Sequence, residues 1–250
     1  MRIVRFLASD KVRFGVLDGD EVAELTQFPG IAPEPTGNTF ALQDVKLLAP
    51  VEPTKIVCVG LNFADHADEV GQVVQSEPLM FFKPSSSIIG PGDTIVLPHQ
   101  SNQVELEVEL AMVISQTAKN VSVEDAGNYL LGYTVANDIT ARDLQFSDLQ
   151  WARSKGFDTF CPLGPWIETE FTPTENYLES RINGELAQLE SIRNMIFDPL
   201  FLLSYVSQNV TLNPQDIILS GSPAGISKIK SGDAVECEIS GIGVLRNPVA

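Results

Sequence analysis

Residues 104–114, VELEVELAMVI, alternate between apolar and acidic positions and then stop alternating. Strict alternation is the period of a β-strand, in which residues two apart share a face. Glu105, Glu107 and Glu109 therefore project together, and Leu106, Val108 and Leu110 face the other way. Most such runs are solvated strand faces. Here the carboxylate face continues into Ala111 and Val113, so the strand is entering a core and takes Glu107 and Glu109 toward it. Carboxylates on one face repel, and burial makes each ionised group more costly. A cation or a proton has to accompany them.

The rest of the chain is also strand-rich. KIVCVGLN, LMFFK, TIVLP, LLGYTVAND, PWIET, DIILSGS, AVECEI and GVLRNPV read as strands. Helical spacing is rarer: FADHADEVGQ after a possible Asn62 cap, VEDAGNYLL, and DPLFLLSYVSQN. Strands do not alternate regularly with helices, which argues against a doubly wound sheet. The expected fold is mixed α+β and mainly β, a curved mixed β-roll or sandwich with few peripheral helices. RIVRFLA, VRFGVLDG and DEVAEL predict a small N-terminal β-domain over 1–48. The Pro- and Gly-rich FPGIAPEPTGNTFALQDV reads as linker, and VKLLAPV as a strand after it. The main domain is placed at 49–250.

The 250 residues are 44% hydrophobic, enough for a sizeable core, and carry a net charge of −17. So acidic a chain is not expected to bind nucleic acid or anionic membranes, and a site for an anion needs local cations. No apolar h-region or 18-residue apolar run occurs, and Cys58, Cys161 and Cys237 form no CxxC pair. These features predict a cytoplasmic protein.

A hard divalent cation is the simplest partner for Glu107 and Glu109, and oxygen ligands suit Mg²⁺ or Mn²⁺ better than zinc. Asp138, at the end of LLGYTVAND, is the candidate third ligand; the alternative is a cap for ITARDLQ. His66 and Glu69 lie three apart in VGLNFADHADEVG. On a helix they are neighbours, and the carboxylate can orient the imidazole as a base toward water. Gly60 and Gly71 bracket this segment, as hinges of a lid would. Arg142, four residues after Asp138 and pointing back on a helical turn, is a candidate carboxylate clamp, with Gln145 three further on; Lys155, in a Gly- and Pro-punctuated loop, and Lys83 are further clamps. In SGSPAG, 220–225, backbone N–H groups and Ser222 could receive an anion. His99 is assigned no role.

In their order, KIVCVGLNFADHADEV, VELEVELAMVI, GYTVANDITARDLQ, SKGFDTFCPLGPWI, INGELAQ and DIILSGSPAGI resemble the fumarylacetoacetate hydrolase family over roughly residues 50 to 250. The resemblance implies that family's mixed β-roll, Mg²⁺ or Mn²⁺ held by Glu107, Glu109 and Asp138, and a homodimer; Glu105 falls outside its ligand positions. The His66–Glu69 pair resembles the lid dyad of the acylpyruvase and oxaloacetate-decarboxylase branch. SGSPAG departs from that family's TGTPxG. The implied substrate is a small anionic 2-oxo acid or 1,3-dicarbonyl, clamped by Arg142, Gln145, Lys155 and Ser222. His66, Glu69 and Lys155 would be catalytic, in acylpyruvate hydrolysis or in oxaloacetate decarboxylation or tautomerisation through an enolate. The alternative is isomerisation of a 2-hydroxyhepta-2,4-diene-1,7-dioate.

Overall fold

The strand Val108–Ile114 is buried along its whole length, between Leu130–Asn137 on one side and Ile217–Leu219 on the other, antiparallel to both. Both of its faces are covered. Leu110, Met112 and Ile114 enter one apolar cluster with Leu202, Leu203 and Val206. Ala111 and Val113 enter a second with Cys58, Ala136 and Leu219. Each buried large aliphatic side chain contributes about 1.5–3 kcal/mol, which is why the acidic alternation has to end where the core begins. Among the described residues this fully buried strand belongs to a 12-stranded sheet. Its main path runs Pro35–Ala41, Glu21–Leu25, Lys11–Asp18, Arg2–Ala8, Cys161–Glu168, Leu130–Asn137, Val108–Ile114, Ile217–Leu219, Ile56–Gly60 and Leu79–Lys83. Smaller sheets of three and four strands pack beside it. The computed structural model describes residues 1–30 and 33–250. The fold is mainly β with a few short helices, as the strand-rich pattern predicts.

VELEVEL is not one continuous strand. Val104–Leu106 pairs with Thr140–Ala141 and Ser227–Lys228 in the three-stranded sheet, and Val108–Ile114 belongs to the large one. Glu107 is the joint. Its N–H donates to Asn137 Oδ1 (2.9 Å), and its carbonyl accepts from the Asp138 N–H (2.8 Å). The joint's backbone groups are thereby satisfied without a ladder.

The helical expectations fare unevenly. Pro199–Asn209 is a helix whose Asp198 cap accepts from Phe201 N–H, with proline in its first turn. VEDAGNYLL forms only a 3₁₀ turn at Ala126–Tyr129, because Leu130 and Leu131 already belong to a strand. Asn62 does not cap the helix Ala64–Glu69. Its side chain donates to the carbonyls of Phe197 and Ser220 and accepts from the Phe197 N–H, tying the start of that helix to two distant loops. Among the described residues no helix is long and apolar enough to cross a membrane.

The N-terminal strands join the large sheet through Arg2 opposite Glu168 and Ile3 opposite Ile167, yet Val4, Phe6, Ala8, Leu17 and Val22 form a cluster of their own. The proposed division stays at 1–48 and 49–250. The segment expected as linker is corrected in part: Pro35–Ala41 is an edge strand on Glu21–Leu25, while residues 31–32 lie outside the described ones. At the register shift between Ala23 and Leu25 the Glu24 carboxylate, 6% exposed, accepts from Asn38 (2.7 Å), Thr36 (3.0 Å) and Arg13. The Asn38 bond, helped by Arg13 and Thr36 against the opposing effect of burial, holds its pKa below the usual 4.5. A depressed carboxylate stabilises the fold above its unfolded pKa and loses that contribution as pH falls through the folded value. Glu24→Ala is therefore expected to cost about 1–2 kcal/mol at pH 7. The gap to wild type should close as pH drops below 4.5, checked by urea unfolding across pH.

Candidate metal centre and active site

Glu109 opens the strand face that Ala111 and Val113 continue, and it pairs opposite Ala136. Asp138 follows directly on the neighbouring strand Leu130–Asn137, and Glu107 is the joint. This register brings one oxygen of each of Glu107, Glu109 and Asp138 within 4.8 Å of one another, with all three residues buried. Buried acids of this kind must be compensated. Lys83 Nζ lies 2.5 Å from Asp138 Oδ1. Lys155 Nζ spans Asp138 Oδ2 (2.5 Å) and Glu107 Oε2 (2.8 Å). Arg142 Nη2 donates to Glu107 Oε1, and its Nε to Glu105 Oε2 at 2.7 Å.

Four buried carboxylates thus face three buried cations, and Glu109 is the one without a cationic contact. It accepts only the Gly221 N–H, at 2.7 Å. Burial, then the neighbouring Asp138, push its carboxyl well above the usual range. Glu107 moves the opposite way: burial opposes ionisation, but Lys155 and Arg142 outweigh it and hold the carboxyl far below the usual range. Lys155 itself is raised, because Asp138 and Glu107 outweigh its burial. A divalent cation would supply the charge that Glu109 lacks. Three converging carboxylates are a hard, all-oxygen donor set of the kind Mg²⁺ and Mn²⁺ accept.

On the helix Ala64–Glu69, His66 Nδ1 lies 3.1 Å from Glu69 Oε2. Glu69 Oε1 accepts from the Gly225 N–H at 3.0 Å. This corrects the expectation for SGSPAG. Two of its backbone N–H groups, those of Gly221 and Gly225, already receive the protein's own carboxylates. Gly221 has φ +95, and a Cβ there would come within 2.8 Å of Asn62 Cβ, so the N–H that meets Glu109 depends on glycine.

His66, Glu107, Glu109, Asp138, Arg142, Gln145, Lys155 and Ser222 all line one cavity of about 60 Å³. Glu69 stands behind His66. Phe81, Phe146 and Trp151 add apolar walls, with Phe81 and Trp151 packed edge to face at 5.3 Å.

The expectations for Lys83, Asp138, Arg142 and Lys155 are revised. Lys83 is no clamp: it is 2% exposed, bonded to Asp138 and the Ile139 carbonyl, and absent from the cavity lining. Asp138 caps no helix, since the residue before the helix Arg142–Ser147 is Ala141. Arg142 is brought back by the extended pair Thr140–Ala141 rather than by a helical turn, and Lys155 ends the short helix Ala152–Lys155. Sequence reasoning also missed Gln188. Its amide donates to Ser222 Oγ (2.8 Å) and the Pro223 carbonyl (2.7 Å) and accepts from the Val108 N–H (3.0 Å). The quoted INGELAQ ends on this residue, yet no spacing marks it, because it acts across elements distant in the chain.

Two family models match the chain. One, described as Fumarylacetoacetate (FAA) hydrolase C-terminal, covers residues 55–250, and one described as Rv2993c-like, N-terminal, covers residues 1–50. The mitochondrial oxaloacetate tautomerase of Rattus norvegicus is 45% identical over 217 residues, 82% of this chain and 69% of that protein. The structure of 5-carboxymethyl-2-hydroxymuconate delta-isomerase from Mycobacterium smegmatis matches with a TM-score of 0.95 at 40% identity, covering 100% of this chain and 99% of that one. Maleylpyruvate hydrolase from Sphingobium sp. SYK-6, in complex with manganese(II) ion and pyruvate, matches at 0.83 and 28% identity, again over 100% and 99%.

Proposed function

The chain belongs to the fumarylacetoacetate hydrolase family, and from that premise we propose that it is a divalent-metal-dependent enzyme acting on short 2-oxo acids and 1,3-dicarbonyls. The observation that carries this reading is one cavity holding three convergent carboxylates, two cationic side chains and a carboxylate-bound imidazole. Glu107, Glu109 and Asp138 would hold Mg²⁺ or Mn²⁺. When bound, the cation supplies Lewis-acid polarisation of the substrate's oxo group and charge for a developing enolate.

Arg142 and Gln145 would receive the substrate carboxylate, with Ser222 offering a further hydroxyl donor in the same cavity. Lys155, already aligned on Glu107 and Asp138, would polarise the carbonyl. His66 would take a proton from water through Nε2, with Nδ1–H donating to Glu69, as the water oxygen bonds to the distal acyl carbon; the bond from that carbon to the pyruvate unit would then break with its electron pair leaving on the pyruvate carbon, which takes the proton back from His66. Oxaloacetate decarboxylation would use the same carboxylates and clamps and needs no attacking water. The same proposal takes in a homodimer in the cytoplasm.

A second reading is favoured by the relatives named as a tautomerase and an isomerase. In it, His66 moves a proton between two carbons in a double-bond shift, or between carbon and the enol oxygen in a keto–enol shift, and no C–C bond breaks. A panel of acetylpyruvate, oxaloacetate and 2-hydroxyhepta-2,4-diene-1,7-dioate at fixed Mg²⁺ separates the two. The first reading expects pyruvate, loss of activity in EDTA and recovery with Mg²⁺. A double-bond or keto–enol shift without pyruvate would replace it by the second, and full activity in EDTA would remove the metal from both.

A further inference from the structure

Glu105 is the one carboxylate of VELEVEL with no part in the proposed reaction. It is nevertheless 6% exposed and sits on the middle strand of the small sheet, opposite Thr140. Its two oxygens are both used. Oε2 accepts from Arg142 Nε at 2.7 Å, and Oε1 from Gln103 Nε2 at 2.7 Å. The Gln103 carbonyl in turn accepts the Arg142 backbone N–H at 2.7 Å. Arg142 is thus held at its backbone and at its guanidinium by two residues of one short segment, neither of which lines the cavity.

The other guanidinium nitrogens are divided as well. Nη1 donates to Gln145 Oε1 and Nη2 to Glu107 Oε1. A planar guanidinium has five N–H donors in a fixed fork. Three are committed, which leaves one on each terminal nitrogen. An arginine beside a buried carboxylate tends toward the bidentate, fork-to-fork pair. Here Glu105 occupies Nε, so Arg142 meets Glu107 through Nη2 alone. Without that anchor, only the Lys155 contact to Glu107 Oε2 competes with rotation of the guanidinium toward both oxygens of Glu107, which would turn the remaining donors away from a ligand.

Building on the proposed role of Arg142 as carboxylate clamp, we infer that Glu105 is a positioning residue: it sets the guanidinium plane of Arg142 so that the unused donors face the cavity. What the role requires is an acceptor oxygen at this point rather than a negative charge. Glu105→Ala is expected to raise KM for the preferred 2-oxo acid about 10- to 100-fold with kcat within about three-fold. Oxalate binding to the Mg²⁺-loaded protein, followed by calorimetry, should weaken in proportion. Glu105→Gln keeps the length and one carbonyl oxygen and should stay within about three-fold of wild type. In an Arg142→Lys background, where no fork remains to orient, Glu105→Ala should change KM by less than about two-fold. An unchanged KM and oxalate affinity in Glu105→Ala overturns the inference, as does Gln behaving like Ala, which would make the role one of charge. A wild-type protein that neither turns over nor binds any 2-oxo acid or oxalate overturns the proposed function, and this inference with it.

Discussion

Asp138→Ala is expected to remove divalent-cation binding and the activity that depends on it, and separately to destabilise the fold. The two losses have different origins. As the proposed third ligand, Asp138 supplies an oxygen that neither Glu107 nor Glu109 can replace, and Mn²⁺ affinity should fall by at least about 100-fold. As the counterion of Lys83 and Lys155, each 2.5 Å away in a fully buried position, it also neutralises ammonium groups that have left water. Lys155 keeps Glu107 at 2.8 Å, whereas Lys83 would retain only the Ile139 carbonyl. Breaking a buried pair from one side costs about 3–5 kcal/mol. The double variant Lys83→Met with Asp138→Ala should recover most of that stability and none of the Mn²⁺ binding. Urea unfolding of the metal-free proteins and a Mn²⁺ titration read the two effects apart. Undiminished Mn²⁺ binding by Asp138→Ala would refute its assignment as a ligand.

How much of this was legible in the chain depends on where the deciding partner lies. The alternation of VELEVEL and its merger into Ala111 and Val113 correctly indicated a strand carrying Glu109 to the edge of the core, because period and face are local properties. The break at Glu107 was not legible. It is imposed by Asn137 and by the pairing of Val104–Leu106 with residues 140–141 and 227–228. Pro35–Ala41 reads as linker for a related reason. An edge strand with mostly exposed side chains has no apolar face to announce it, and proline is tolerated at its end.

Charge chemistry shows the same division. The metal reading of Glu107, Glu109 and Asp138 rested on residue types that suit one cation, and the structure brings them together. As residue types Lys83, after the apolar LMFF, and Lys155, in a Gly- and Pro-punctuated loop, read alike as clamps, and only the family resemblance singles out Lys155. Only the fold decides that Lys83 serves Asp138 from behind while Lys155 reaches the cavity. Glu105 lies outside the ligand pattern, and its contact with Arg142 depends on a strand pairing 35 residues away that no periodicity reveals.

Glu69→Gln is expected to be as damaging to hydrolysis as the loss of His66, although it removes no atom from the cavity lining. With a carboxylate at position 69, the 3.1 Å contact to Nδ1 is best made by an Nδ1–H donor, which leaves the Nε2 lone pair free to accept a proton. Glutamine can still accept the Gly225 N–H through its carbonyl oxygen, preserving the contact that Glu69 Oε1 makes now. Its amide nitrogen then faces Nδ1 and donates to it. The ring must carry its proton on Nε2 and can no longer act as a base toward water. The equivalent tautomer inversion in a serine protease triad costs about 10⁴-fold in kcat, and a loss of about 10²- to 10⁴-fold is expected here. The fold and the metal site should be unaffected, since Glu69 touches none of Glu107, Glu109 or Asp138. The informative comparison is acetylpyruvate hydrolysis against oxaloacetate decarboxylation, which needs no activated water: Glu69→Gln should spare the second far more than the first. Equal loss in both would mean that Glu69 serves to hold the helix rather than the imidazole, and an unchanged hydrolysis rate would remove His66 from the role of base.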